Sequence, residues 1–146
     1  MTAQEQVLTV EDANRRLPLV RAIVRDLVEL SGDVRTRQDR LSEIRERYPS
    51  DEDAPYSDEV AQMEDHLELD VDRLDAFAAE LRQVGAELVD AATGLVEFPS
   101  LLDGQAIRLS WMPDEPRIQF WRLEEDDSED RRPLPEVVCV DPADAV

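Results

Sequence analysis

Apolar residues in this chain recur at the spacing of a coiled-coil seam in two successive segments, and that pattern restricts the fold more than any other feature. In the first segment they fall every three or four positions: Val20, Ile23, Leu27, Leu30, Val34, Leu41, Ile44 and Tyr48, with Arg37 the one polar member of the series. These are heptad positions a and d, which place a single stripe on one face of a helix. Tyr48-Pro49 closes the segment, because proline disfavours helical geometry in the residue before it. Residues 49–57, PSDEDAPYS, hold two prolines, three acids and two serines and read as a turn, with Ser57 as the cap of the next helix. The second segment then places Val60, Leu67, Leu74, Leu81 and Leu88 seven apart, with Met63, Phe77 and Val84 between them. Two facing heptad helices joined by a short loop make an antiparallel helical hairpin, each arm of about 30 residues reaching roughly 45 Å. Ahead of it, Thr9-Val-Glu-Asp12 is a variant capping box that opens a short helix to about Arg16. Pro18 fits the first turn of the next helix, where its missing N–H costs nothing.

Charge divides along the same line. Residues 15–47 carry nine arginines and six acids, a net of +3, whereas residues 57–91 carry two arginines and eleven acids, a net of -9. The hairpin therefore matches itself electrostatically, and its basic arm is better explained by the acidic arm than by a nucleic acid. Over the whole chain 16 basic residues, every one arginine, stand against 36 acids, a net of -20. That field repels phosphate backbones and anionic headgroups, so neither nucleic acid nor a membrane surface is expected as partner. A genome rich in arginine codons and a high-salt cytoplasm both account for the absence of lysine. The N-terminus lacks the basic and apolar regions of a secretory signal and no apolar run has membrane-spanning length, so a cytoplasmic protein is expected.

After Thr93-Gly94, read as a helix stop, the apolar period changes from 3.6 to 2. Leu95–Phe98, Ala106–Met112 and Arg117–Leu123 read as three short strands, turning at Gly104 and at Pro113-Asp-Glu-Pro116. With those four residues as the hairpin loop, Met112 pairs with Arg117. Ile107, Leu109, Trp111, Ile118 and Phe120 then share one face, and Arg108, Ser110, Gln119 and Trp121 the other. Trp121 falls across from Arg108, at cation–π distance. Six acids in the seven residues 124–130 predict a disordered or solvated link. Cys139, within Val-Val-Cys-Val, reads as a small apolar residue of a docking or edge strand.

Gly94-Leu-Val-Glu-Phe-Pro99, Asp103-Gly104, Leu109-Ser-Trp111, Glu115, Phe120-Trp121 and Arg131-Arg-Pro-Leu134 together resemble the DUF2203 family, small prokaryotic proteins of unknown function. Thr9-Val-Glu-Asp-Ala-Asn14 and Leu17-Pro-Leu-Val20 resemble that family's opening. The resemblance implies Leu-Cys-Trp where this chain has Leu109-Ser110-Trp111, and Tyr-Trp-His where it has Phe120-Trp121-Arg122. It also implies Gly-Phe-x-Gly-Arg where this chain reads Asp127-Ser128-Glu129-Asp130-Arg131. A family site resting on that Cys and His would be missing here. The expected strand register puts positions 110 and 122 on opposite faces, which also argues against joint ligation of a metal.

Little else points to chemistry. One cysteine and one histidine supply neither a disulfide framework nor a zinc cage. Asp51, Asp53 and Ser57 lack the glycine and terminal glutamate of a calcium loop, and His66 reads as a helix-surface residue. No metal or cofactor is expected. Glu97, the one acid within its strand, is placed near Arg108 and near Arg122 or Arg131, first of all as a structural ion pair. The sheet carries both tryptophans and, over residues 92–122, a net charge of only -1. Glu97, Arg108, Trp111, Trp121, Arg122 and Arg131 are therefore the candidate binding residues.

The expected fold is α+β: helical hairpin over residues 1–93, three-stranded antiparallel meander and acidic link over 94–134, C-terminal tail over 135–146. Small or apolar flanking residues, among them Val24, Val71 and Ala78, widen the seam and raise the expectation of a homodimer completing a four-helix bundle. The favoured reading of function is a non-enzymatic interaction or scaffold protein presenting a Trp/Arg sheet on a helical stalk. The alternative is a small-molecule binding protein or enzyme with its pocket where sheet meets hairpin, using Glu97, Arg108, Trp121 and Arg131.

Overall fold

The computed structural model describes residues 7–48 and 57–134, with the side chain of Ser57 outside the description. Among the described residues, two helices and a five-stranded antiparallel sheet make an α+β fold. Helix α1 runs Val10–Arg47 and helix α2 runs Ser57–Gln83. Strands β1 (Glu87–Asp90), β2 (Leu95–Leu102), β3 (Gln105–Trp111), β4 (Phe120–Leu123) and β5 (Arg132–Pro133) come next, as a meander in sequence order. The expected turn at 49–57, with Asp51 and Asp53, lies outside the described residues except for Ser57, where α2 begins, and the expected tail with Cys139 lies outside them too.

Thr9 caps α1 through a reciprocal capping box with Asp12, whose N–H donates to Thr9 Oγ1 at 3.0 Å. Hydrogen bonds with Thr9, its side chain first and its backbone second, hold the Asp12 pKa below the ordinary carboxylate value. The short leading helix and the first arm are one helix, contrary to the break expected at Pro18. Pro18 removes one ladder bond at a cost of about 3 kcal/mol. Leu17 and Val20, on either side of it, are 3% and 0% exposed against the sheet. Burial of each is worth about 1.5–3 kcal/mol, which outweighs the lost bond.

Helix α2 ends earlier than its heptads predict. Gly85 takes a φ of 87°, a left-handed geometry suited to glycine. The N–H of Ala86 donates to the Leu81 carbonyl and that of Gly85 to the Arg82 carbonyl, the two bonds of a Schellman stop. Leu88, the last member of the heptad series, accordingly lies in β1 opposite Val96. Residues 91–94 are the turn between β1 and β2 rather than the end of a helix.

One face of the sheet packs on the first half of α1 and the end of α2. Trp111, Phe98, Leu109 and Val96 are 0% exposed there, with Val20, Val24, Leu27 and Leu81 from the helices. Val24 thus owes its apolar character to the sheet of its own chain. Beyond the sheet the hairpin continues as a two-layer stalk. Across its seam the polar exception Arg37 pairs with Asp70, which Arg73 also approaches at 3.5 Å, and Arg45 pairs with Glu64. No helix of the described residues is long and apolar enough to cross a membrane.

Candidate functional site

The second face of the sheet gathers charged residues. Strand β2 offers Glu97, paired in register with Glu87 of β1 and Ser110 of β3; Arg108 of β3 lies opposite Arg122 of β4. Alternation along the strands brings all five side chains to one face. Two carboxylates directly opposite each other, Glu87 and Glu97, would repel. The two arginines offset this by reaching over an intervening strand. Arg122 donates from Nε to Glu97 Oε2 at 2.5 Å and from Nη2 to Oε1 at 2.7 Å, across β3. Arg108 meets Glu87 at 3.2 Å across β2 and Glu124 at 3.5 Å. The Glu97 hydrogen bond is the main reason the Arg122 pKa is raised. Burial works against it, and the charges of Glu97, Asp126 and Glu124 add to the rise.

The acidic link is solvated, one of the two outcomes expected of it, and it is tied to this face by its backbone carbonyls as well as by Glu124 and Asp126. Arg122 Nη1 donates to the carbonyls of Leu123, Glu124 and Asp126 at 3.0, 3.2 and 2.7 Å. Further on, Arg131 donates to Ser110 Oγ at 2.7 Å and to Glu115 at 2.6 Å, its guanidinium 4.4 Å from the Phe120 ring centre. Glu124, Glu125, Asp127, Glu129 and Asp130 stay exposed, so charge remains in water while the chain is fixed.

The six predicted site residues separate into two groups. Glu97, Arg108, Arg122 and Arg131 converge on the outer face. Trp111 lies on the core face with Ile107 and Leu109 as expected, and Trp121 joins it there because β4 pairs one residue out of the expected register: Trp121 lies opposite Leu109, and Phe120 opposite Ser110. The connection responsible has eight residues, 112–119, instead of four. Ile118 is withdrawn from the ladder, its N–H donating to Asn14 Oδ1 at 2.7 Å and its side chain 1% exposed. The cation over Trp121 is consequently Arg132, at 5.3 Å and directly across from it on β5, not Arg108. Arg21 covers Trp111 at 5.4 Å, and the indole N–H donates to the Glu115 carbonyl at 2.9 Å. Positions 110 and 122 share a face, correcting the reading that separated them.

Sequence reasoning missed Glu115, Glu87 and the link carbonyls. A buried arginine late in the chain needs an acid brought to it by a tight turn, and Pro113-Asp-Glu-Pro116 is where such a turn lies. Ser110 is 0% exposed and its hydroxyl accepts from Arg131. Glu97, 2% exposed, is held by two of the three nitrogens of one guanidinium, Nε and Nη2. Neither group has an open side toward a substrate. Among the described residues no buried side-chain nitrogen or oxygen lacks a partner, and no cluster of three His, Cys, Asp or Glu converges to hold a metal ion.

At one end of the core, a cleft of about 390 Å³ opens between the start of α1 and the β2–β3 hairpin, lined by Leu8, Ser100, Leu102, Ile107, Leu109 and Leu134. It contains none of the charged candidates. A family described as an uncharacterized conserved protein, DUF2203, matches residues 6–134, from the approach to the Thr9 cap through the last described residue. The chain belongs to the DUF2203 family. No curated protein and no solved structure matches this DUF2203 member.

Proposed function

We propose that this DUF2203 protein is a non-enzymatic interaction or scaffold protein, with the sheet as a rigid head on a helical stalk to which a protein partner or a second copy binds. The observation that carries this reading is how completely the outer-face charges are used within the chain. Arg122 makes five hydrogen bonds to Glu97 and to carbonyls of its own chain, and Glu97 has both carboxylate oxygens engaged. A general base or an electrostatic catalyst needs a free lone pair or donor aimed at a substrate. The half-buried Trp121 under Arg132 is the part of the Trp/Arg sheet open to a partner, and the stalk beyond the sheet has exposed Leu69 and Val71, at 61% and 41%.

The cleft at the core's end favours a second reading, a small-molecule binding protein, because its volume and apolar lining fall within the usual range of ligand sites. One paired experiment separates the two. Full-length protein and a Trp121→Ala, Arg132→Ala double variant are compared in affinity capture and in thermal-shift screening against a metabolite set. Capture that the double variant loses, with no metabolite raising the melting temperature of either protein, supports the interaction reading. A metabolite-induced rise overturns it in favour of the cleft.

A further inference from the structure

We infer that the stalk groove between α1 and α2, beyond the sheet, is a docking site for an amphipathic helix with basic flanks from a different protein. The inference rests on the proposed interaction role and specifies its partner. The sheet supplies a third layer over the first half of α1, but beyond Val28 the hairpin has only two. Leu41, 5% exposed, and Leu67, half-buried, form the floor of the groove, and Val71 stands at its edge 41% exposed. Three apolar side chains on two adjacent helices are what a third helix covers with its own apolar stripe.

Charge selects the occupant. Asp39, Glu68 and Asp72 line the same groove, and none forms an ion pair among the described residues. Its one cation, Arg45, is already engaged with Glu64. A two-fold pairing of this groove with its copy would set these acids against one another, since an isologous interface presents the same patch from both sides. Each copy would also bring its net charge of -20. A helix with Lys or Arg beside its apolar stripe meets both features, and the acidic field speeds its approach.

The test uses the full chain and two synthetic three-heptad peptides, each with Leu at a and d, one with Lys and one with Glu at e and g. Binding is monitored by fluorescence anisotropy at physiological ionic strength. The expected result is a preference of at least about tenfold for the Lys peptide, reversed by Glu68→Lys with Asp72→Lys. Val71→Glu should weaken the Lys peptide by a similar factor. The two swapped acids are exposed, and circular dichroism checks that each variant keeps its helix content. Equal binding of both peptides, or a preference that survives the charge swap, overturns the inference. So does light scattering that shows a dimer dissociated by Val71→Glu, because a second copy then holds the groove. Those results leave the interaction reading standing; only metabolite stabilisation removes that.

Discussion

Arg122 and Glu97 form one ion pair, yet the two ends are unequally supported. The Glu97 side chain is 3% exposed and Arg122 is its only side-chain partner among the described residues, so removing the guanidinium leaves a buried carboxylate without that support. The Arg122 side chain is 14% exposed and keeps three backbone carbonyls when Glu97 is removed. Breaking a buried pair costs about 3–5 kcal/mol because of the charge left behind, while replacing both partners with apolar residues is often neutral. Arg122→Ala should therefore lie at the upper end of that range and Glu97→Ala about 1–2 kcal/mol below it. Glu97→Leu with Arg122→Leu should recover most of the loss. Urea unfolding monitored by tryptophan fluorescence measures all three. The opposite order of the single variants would mean that the link carbonyls do not sustain the Arg122 charge once Glu97 is gone.

Helix α1 meets α2 along a seam whose two polar exceptions find each other. Asp70 falls seven residues after Met63 and seven before Phe77, at a position the heptad leaves for an apolar residue, and it pairs with the corresponding exception Arg37. The Arg37 side chain is 41% exposed, so the pair adds little stability after solvent screening, and its use is to fix how the two helices align. Asp70→Leu should leave thermal stability unchanged or raised, because Arg37 can turn to water. Arg37→Leu should cost about 1 kcal/mol, with Asp70 still near Arg73. The double leucine variant should melt highest. A loss above about 2 kcal/mol in Asp70→Leu would assign the pair to stability instead. The same elements show what is readable in the residue pattern. Periodicity locates both helices because each buries one continuous stripe. It misses β1 because Leu88 satisfies a heptad and a strand equally well, and only Gly85 marks the change between them. The face of Trp121 is misassigned by a single residue of register, set by a contact between Ile118 and Asn14, 104 positions apart in sequence. Glu97 is legible as the acid of its strand, whereas the link carbonyls are not, since backbone atoms leave no trace in a residue pattern.

At the scale of the whole molecule, attraction between the arms competes with repulsion among the excess acids. The attractive part acts at contact distance, through partly exposed pairs such as Arg45–Glu64, each worth about 0.2–1 kcal/mol. The repulsive part comes from a net charge of -20 spread along α2, the link and the termini, and acts over longer distances. Salt weakens long-range terms first. The screening length is about 30 Å at 0.01 M and about 8 Å at 0.15 M, against roughly 57 Å for the 38 residues of α1. Screening should therefore remove more repulsion than attraction, and the melting temperature should rise by several degrees between 0.01 and about 0.3 M sodium chloride. Sodium sulfate at matched ionic strength separates screening from surface exclusion, which sulfate adds and chloride does not. A melting temperature that falls as chloride rises would show that the complementary hairpin, not the acidic excess, governs the electrostatics of the fold. The basic-helix preference of the stalk groove should weaken over the same salt range, because exposed acids such as Glu68 and Asp72 are screened along with the rest.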